Sequence, residues 1–246
     1  MVIEKPPQFH APYEPHCVEL TEDGNIVAAG FANGQIRVWD VNERTKDKMQ
    51  ILARPKNGSM LTLPYNSIAW KPIAYRENSR LLLAADCEGE IEEWILPNTD
   101  GGSFYHGTSI VEGKAPDGQT SVTHALDFFS DGRRFLAGTS DACIRMYDLE
   151  TKQKLHECRG KEGFGSTRSL KGDVKFASAA HGQRVVSVRV DKSNPNMFVS
   201  GAWDNTVRVW DARCGRDRQP ITITIHYPHH PYYCHISSRP TVPTTP

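Results

Sequence analysis

The chain has 246 residues and a formal net charge of zero at pH 7, because 29 lysines and arginines balance 29 aspartates and glutamates. Without an excess of positive charge it lacks the general attraction to nucleic acids and anionic membranes that basic proteins have. It contains no run of about 18 apolar residues that could span a bilayer, and residues 1–13 lack the apolar core of a signal peptide. We therefore expect an intracellular protein, cytoplasmic or nuclear, that does not bind membranes.

Four similar segments follow one another along the chain, and each ends in an aromatic residue after a run of alternating apolar side chains. In the last segment, residues 198–213, two apolar runs flank the polar turn 203–205, which predicts two adjacent antiparallel strands. The closing aromatic residues are Trp39, Trp94, Tyr147 and Trp210. Six residues before them stand Asn33, Glu88, Asp141 and Asp204.

Further apolar runs on both sides of each segment raise the number of predicted strands to four per repeat. The preceding strands are predicted at 17–20, 67–70, 124–129 and 185–190. The following runs are 49–53, 104–111, 154–158 and 221–227. Repeats made of four short strands predict an all-β protein in which successive sheets pack side by side.

These residues resemble the WD40 (Trp-Asp) repeat family, whose members are β-propellers built from four-stranded blades. The resemblance covers roughly residues 10–227; it is strongest around Trp210 and weakest around Trp94, where Ile95 replaces the aspartate. It implies a buried hydrogen-bonded tetrad in the fourth copy, formed by His181, Ser200, Asp204 and Trp210. In the first copy Ala29 stands where the fourth has serine, so with His10 we expect only part of that network.

The repeats depart from the family pattern in length and in number. The aromatic residues are 55, 53 and 63 positions apart, whereas the usual repeat is about 40–45 residues long. We place the surplus in loops at 54–64, 98–118 and 160–181. Because only four copies of the repeat are recognisable, we predict an open arc of about four blades in residues 1–227 and a disordered tail in 228–246. We interpret the chain as a truncated or alternatively spliced product; a closed small ring and a self-associating fragment are the alternatives.

The resemblance implies a non-catalytic scaffold that binds other proteins or peptides. Residues 198–213 also match the box of propellers that recruit substrates to cullin-RING ubiquitin ligases, where Asp211 and Arg213, in Trp210-Asp211-Ala212-Arg213, would contact the ligase adaptor. Ordinary blades satisfy most of this box, so a purely structural use of the same residues is the alternative. Trp203 lies just before the turn aspartate, where it is either a partner-binding anchor or packed on a neighbouring blade.

Other patterns carry weaker signals. The histidines and the cysteine at 226–235 fit no zinc motif, and the six scattered cysteines predict reduced thiols rather than disulfides. No nucleophile elbow or phosphate-binding glycine loop occurs, so we expect no enzyme, no cofactor and no metal. Basic residues in 159–175 are diluted by acidic ones, which disfavours nucleic acid and leaves an RNA-associated role as a further alternative. Self-association of the chain through unpaired blade edges is another alternative.

Overall fold

The computed structural model describes residues 13–41, 50–52, 63–72, 79–97, 105–111, 120–158, 181–213, 221–226 and 235–236. These residues form strands and turns and include no helix, so none of them belongs to a helix that could cross a bilayer. The strands are β1 (Pro15–Leu20), β2 (Ile26–Phe31), β3 (Ile36–Asp40), β4 (Gln50–Leu52), β5 (Tyr65–Trp70), β6 (Ser79–Asp86), β7 (Ile91–Pro97), β8 (Tyr105–Val111), β9 (Thr123–Phe128), β10 (Arg134–Thr139), β11 (Ile144–Asp148), β12 (Lys154–Cys158), β13 (Val185–Val190), β14 (Met197–Ala202), β15 (Thr206–Asp211), β16 (Ile221–His226) and β17 (His235–Ile236).

The strands are arranged in four antiparallel sheets, which we number blades 1 to 4 in chain order. Blade 1 is β1-β2-β3-β4, blade 2 is β5-β6-β7-β8, blade 3 is β9-β10-β11-β12, and blade 4 is β13-β14-β15-β16. Each predicted strand is found within two residues of its expected bounds. The prediction of an all-β propeller arc of four-stranded blades is confirmed.

One strand was not expected. His235 and Ile236 form β17, which pairs with β16 through the backbone partners Ile225–Ile236 and His226–His235 and widens blade 4 to five strands. The expectation of a disordered tail therefore does not hold for these two residues. The physical reason is that an outermost strand offers a row of unsatisfied backbone groups with which a passing segment can pair. The rest of 228–246 lies outside the described residues.

The turn between the second and third strands has the same backbone in all four blades. The residue that follows the turn Asn, Glu or Asp has a positive φ, which most side chains disfavour. These residues are Gly34 (φ 73°), Gly89 (φ 86°), Ala142 (φ 64°) and Asn205 (φ 59°). Glycine and asparagine tolerate this conformation well, so three of the four blades have a residue suited to the turn.

The apolar core lies between the blades and consists of three separate layers. Blades 1 and 2 bury one cluster, which includes Ile36, Leu82 and Trp94. Leu83, Phe128 and Phe135 belong to the layer between blades 2 and 3. Blades 3 and 4 enclose the third layer, with Phe129, Val185 and Phe198. Because a single four-stranded sheet cannot cover its own apolar faces, each blade depends on its neighbours for burial.

Hydrogen bonds also connect the first strands of neighbouring blades. The indole N–H of Trp70 donates to the carbonyl oxygen of Glu19 at 3.3 Å, and the Leu126 amide donates to Ser67 Oγ at 3.0 Å. Between blades 3 and 4 the Val190 amide donates to the Asp127 carboxylate at 2.7 Å. These bonds fix the register of adjacent blades, which apolar packing alone specifies less strictly.

The two end blades are covered on one side only. In the central strands β5 and β9, all residues except Asn66 and His124 are buried. In β1, by contrast, the exposed residues include Val18 and Leu20. We describe these uncovered surfaces as the free face of blade 1 and the free face of blade 4, and they make the arc open within the described residues.

Close packing between blades 3 and 4 leaves no room for a side chain at Gly138. An added Cβ would lie 2.8 Å from Val185 Cγ1 and 3.1 Å from Val188 Cγ1, and both valines are stiff and buried. We predict that Gly138→Ala lowers the free energy of unfolding by about 1–3 kcal/mol, as overpacking typically does. Chemical denaturation monitored by tryptophan fluorescence measures this change.

Gly201 provides the matched control, because it occupies the same position in blade 4. An added Cβ there meets only Ser187 Cβ, at 3.9 Å, so we expect Gly201→Ala to be neutral or to stabilise by less than about 1 kcal/mol. Equal effects of the two substitutions would show that the space next to blade 4 is not open.

Candidate functional site

The four residues of the predicted tetrad meet in blade 4 and form one directed chain of hydrogen bonds. The Trp210 indole N–H donates to Ser200 Oγ at 2.8 Å. The Ser200 hydroxyl lies 2.6 Å from His181 Nε2, and His181 Nδ1 lies 3.0 Å from Asp204 Oδ2. A single assignment of protons satisfies all three contacts: serine donates to Nε2 and Nδ1–H donates to the carboxylate.

Asp204 anchors this chain in the turn between β14 and β15. Its carboxylate accepts hydrogen bonds from the amide of Gly182 at 2.9 Å, and from the amide and hydroxyl of Thr206 at 3.0 and 2.6 Å. The guanidinium of Arg208 lies 3.9 Å away. The carboxylate thus closes the turn and at the same time orients His181, which stands just before the first strand of the blade.

The tetrad holds a neutral imidazole next to a carboxylate. Burial lowers the pKa of His181, and although Asp204 opposes this effect, the net shift remains downward. Burial raises the pKa of Asp204, but hydrogen bonds from Thr206, Gly182 and His181 outweigh it and keep that pKa below its usual range. At neutral pH the site therefore contains a charged aspartate and an uncharged histidine.

The other blades have no serine at the position of Ser200. Register relates Ser200, which is paired with Arg208, to Ala29, Ala84 and Ala137, which are paired with Arg37, Glu92 and Arg145. An alanine cannot connect the aromatic residue to a histidine, so the complete tetrad occurs in blade 4 within the described residues. His10 lies outside them.

Blade 2 contains a buried polar group that sequence analysis missed. Glu92 is almost fully buried, and its Oε2 lies 3.4 Å from the Tyr65 hydroxyl and 3.1 Å from His106 Nε2. Burial and the nearby Glu92 charge raise the pKa of Tyr65. A signal for this group is present in the sequence, since the blade positions equivalent to Glu92 are all arginine: Arg37, Arg145 and Arg208.

Carboxylate oxygens of Asp86, Glu90 and Glu92 lie within 4.8 Å of one another. Asp86 accepts backbone hydrogen bonds from Glu88 and Glu90 at 2.9 and 3.0 Å, and the Ser109 hydroxyl donates to Glu90. Oxygen ligands suit hard cations, but acidic clusters of this kind also occur as turn caps, and here the amide donors explain the position of Asp86.

Trp203 lies in the turn between β14 and β15, and the residue is 57% exposed. The guanidinium carbon of Arg184 stands 4.3 Å from the centre of the indole ring, and the Trp203 amide donates to the Arg184 carbonyl at 3.1 Å. Trp203 thus stacks on Arg184 of its own blade, and its role as a partner-binding anchor stays a prediction. An arginine stacked on an indole holds the ring in place and presents a flat surface with a positive rim.

Asp211 and Arg213 lie at the opposite end of β15 and bind each other. Nε and Nη2 of Arg213 donate to the two carboxylate oxygens of Asp211 at 3.0 and 2.7 Å, and the Arg213 amide donates to Asp211 at 3.0 Å. The Arg213 side chain is 67% exposed. The predicted binding residues thus form two separate surfaces, one with Trp203 and one with Arg213.

The cysteines show no sign of a disulfide or of reactivity in the described part of the chain. Cys17, Cys87, Cys143 and Cys158 form no disulfide. Burial raises the pKa of Cys17 and of Cys158 to about 11, so both stay protonated and unreactive at neutral pH. The predicted loops and the histidine-rich segment lie largely outside the described residues.

A family model described as "WD domain, G-beta repeat" matches residues 9–40, 113–148 and 174–211. These ranges contain the closing aromatic residues of blades 1, 3 and 4. Blade 2 lies between them, and there Ile95 follows Trp94 and Glu92 replaces the arginine of the other blades. The matched ranges thus coincide with the blades in which the repeat pattern is clearest.

Curated relatives resemble the chain over most of its length. It is 25% identical to LEC14B protein of Lithospermum erythrorhizon, over 80% of this chain and 36% of that protein. It is 28% identical to Ribosome biogenesis protein YTM1 of Scheffersomyces stipitis, over 86% of this chain and 44% of that protein. It is 22% identical to COMPASS component SWD3 of Saccharomyces cerevisiae, over 84% of this chain and 51% of that protein. The chain therefore spans about half or less of each of these relatives.

A chain in a structure titled "Crystal Structure of Mitotic Checkpoint Complex" has a similar fold, with a TM-score of 0.54. The alignment covers 83% of this chain and 50% of that chain, at 16% sequence identity. At this identity the likeness shows the fold alone, and it agrees with the arrangement of successive antiparallel blades.

We predict that Ser200→Ala lowers the free energy of unfolding by about 1–3 kcal/mol, because it leaves a buried indole N–H and a buried imidazole nitrogen without partners. Ser187→Ala, on the exposed side of the neighbouring strand β13, is the control and should change stability by less than about 0.5 kcal/mol. Urea denaturation of both variants measures the difference. Equal stability of Ser200→Ala and the wild type would mean that the tetrad does not hold blade 4 together.

We also predict that the protein loses stability between pH 7.5 and 5.5. The pKa of His181 is lower in the folded state than in the unfolded state, where it is about 6.5. The unfolded chain therefore binds the proton first, and stability falls as the pH drops, by at most about 1.4 kcal/mol per pH unit for each proton. His124 adds to this effect, because burial and then the charge of Arg184 lower its pKa as well.

His181→Gln should make the unfolding free energy less dependent on pH over this range, although it lowers stability overall. His16→Gln, which changes an exposed histidine on β1, is the control. Unfolding curves at half-unit pH intervals provide the comparison. If His181→Gln keeps the full pH dependence, the imidazole of the tetrad is not the group that takes up the proton.

Proposed function

Because this chain belongs to the WD40-repeat family, we propose that it is a non-catalytic scaffold whose exposed rim binds other proteins or peptides. The pair formed by Trp203 and Arg184 supports this proposal most strongly. Tryptophan and arginine are the residue types that most often dominate binding energy in protein interfaces. Here both stand at the rim of blade 4, directly above the turn that the tetrad holds rigid.

Rigidity is what makes this pair suitable for binding. Asp204, the residue next to Trp203, carries hydrogen bonds from Gly182, Thr206 and His181. A side chain that is already held in one conformation loses little entropy when a partner binds it. The stacked guanidinium also adds a positive edge, so we expect the partner surface to contain an acidic or carbonyl-rich segment.

The relatives are consistent with a role in a larger assembly. Their names describe one as a ribosome biogenesis protein and another as a component of COMPASS. We extend from them only the general point that this chain works through association with other macromolecules, in the cytoplasm or nucleus. For this chain the identity of the partner is a matter for experiment, since fold alone does not determine it.

The second candidate is a substrate receptor of a cullin-RING ubiquitin ligase, docking through Trp210-Asp211-Ala212-Arg213. The exposed guanidinium of Arg213 favours it, because Asp211 holds the group in a fixed orientation through two hydrogen bonds. An exposed ion pair of this kind contributes only about 0–1 kcal/mol to stability. A ligase adaptor could therefore replace Asp211 as the partner of Arg213 at small cost.

We predict that Trp203→Ala reduces the recovery of specific partners about tenfold or more while the fold stays intact, because removing a central aromatic anchor costs at least about 1.4 kcal/mol. The measurement is quantitative co-purification of the tagged full chain from cells. Leu155→Ala is the matched control, since Leu155 on β12 is 50% exposed and lies away from Trp203. Unchanged recovery with Trp203→Ala would contradict the role of this rim.

The same experiment separates the two candidates when Arg213→Ala is included. Under the ligase proposal Arg213→Ala loses the ligase adaptor and leaves other partners in place, whereas Trp203→Ala loses a different set. If neither substitution changes what the chain recovers, both binding surfaces are wrong as assigned.

A further inference from the structure

The free face of blade 1 has the composition of a covered face. Register aligns Val18 and Leu20 with pairs of residues in the other first strands. Those pairs are Ile68 and Trp70 in blade 2, Leu126 and Phe128 in blade 3, and Val188 and Val190 in blade 4; all six are buried, packed in the layers shared with the preceding blade. In blade 1, by contrast, Val18 is 66% exposed and Leu20 is 51% exposed.

The free face of blade 4 has the residues of the opposite side of a blade–blade contact. We call such a contact between successive blades a joint. Register aligns Gly201 with Gly30, with Gly138 and, in blade 2, with the slightly larger Ala85. At Gly30 an added Cβ would meet Tyr65 of blade 2 at 3.0 Å, and at Gly138 it would meet Val185 of blade 4 at 2.8 Å. At Gly201 the nearest atom is 3.9 Å away and belongs to blade 4 itself. The glycine is present, but among the described residues no side chain from a following blade packs on it.

The free face of blade 1 and the free face of blade 4 therefore carry the residues of the two opposite sides of one joint. Contacts of this kind occur three times, between successive blades. The end blades 1 and 4 each expose one side of such a contact. A surface that already packs against copies of itself within one chain fits a second copy of that chain by the same contacts.

We propose that two copies of this chain associate head to tail, with the free face of blade 4 in each covering the free face of blade 1 in the other. Register places Gly201 of one copy opposite Pro15 of its partner, because Pro15 is equivalent to Tyr65 and Val185. Two such joints close a ring of eight blades, which is within the range of about four to eight blades found in propellers. The association uses sheet faces and does not need strand edges to pair.

The exposed apolar residues supply the driving force. Val18, Leu20 and Val199 are all at least 40% exposed in one copy, and each would be buried in the joint. Removal of aliphatic side chains from water favours association, and the closed dimer contains two joints. The hydrogen bonds between Arg189 and Glu19, at 3.4 Å, reach across from blade 4 to blade 1 within one copy. Ion pairs at the protein surface contribute little to stability, so we expect the blade 1–blade 4 contact to open when a second copy binds.

Sedimentation of the purified full chain over a range of concentrations tests this proposal. We expect a discrete species of twice the chain mass of 27.6 kDa. Leu20→Glu and Gly201→Leu change the two different faces, and each should raise the dimer dissociation constant more than about tenfold, since a loss of 1.4 kcal/mol is enough for that. Val199→Glu is a second change on the face of blade 4, and Leu155→Glu is a control of equal exposure on blade 3.

Mixing the two variants distinguishes a head-to-tail joint from other arrangements. In a mixture of Leu20→Glu and Gly201→Leu chains, one joint combines the intact face of each copy, so dimers should reappear although neither variant forms them alone. Thermal melting of each variant verifies that the monomer remains folded. A chain that stays monomeric at 100 µM, on the order of the dissociation constant of a weak complex, would overturn the proposal.

Other results would overturn it as well. Sensitivity to Leu20→Glu without sensitivity to either change on blade 4 would indicate that two copies of blade 1 face each other. A broad series of larger species would indicate open polymers or aggregation rather than a closed ring. This test does not depend on the Trp203 rim, so its failure leaves the proposed scaffold function untouched.

Discussion

Face-to-face packing of four narrow sheets is the constraint on which the rest of the structure depends. Each blade has too few strands to shelter its own apolar side chains, so burial occurs in the three layers between blades. This explains why the position where a second strand meets the following blade holds small residues, which are Gly30, Ala85 and Gly138 in blades 1 to 3. Hydrogen bonds of polar groups then fix the register of adjacent blades and the conformation of the turns within them.

Blade 4 combines the hydrogen-bonded tetrad with Trp203, a largely exposed aromatic residue. Trp210, Ser200 and His181 connect the interior of the blade to the turn at Asp204, and Trp203 stands on that turn. Blades 1 to 3 have alanine in place of the serine. The same local order that stabilises blade 4 thus also positions the surface proposed to bind partners.

The repeated strands could be predicted because they follow from local patterns, whereas the members of the tetrad were implied by the resemblance to the WD40 family. Alternation identified β15, and the spacing of Asp204 and Trp210 identified the turn. Glu92 could not be recognised in this way, since its significance depends on its neighbours Tyr65 and His106, which come from other strands. The stacking of Arg184 on Trp203 and the pairing of β17 with β16 are likewise contacts between separate segments that no periodicity encodes.

One-sided burial of the end blades has a consequence for how the molecule unfolds. In a linear array in which each unit is stabilised only by its neighbours, the end units have one stabilising partner and the central units have two. The backbone amides of β1 and β13 should therefore exchange with solvent through smaller, more frequent openings than those of β5 and β9. We therefore expect loss of structure to be graded along the chain, beginning near Val18 and Val199 and reaching Phe128 last.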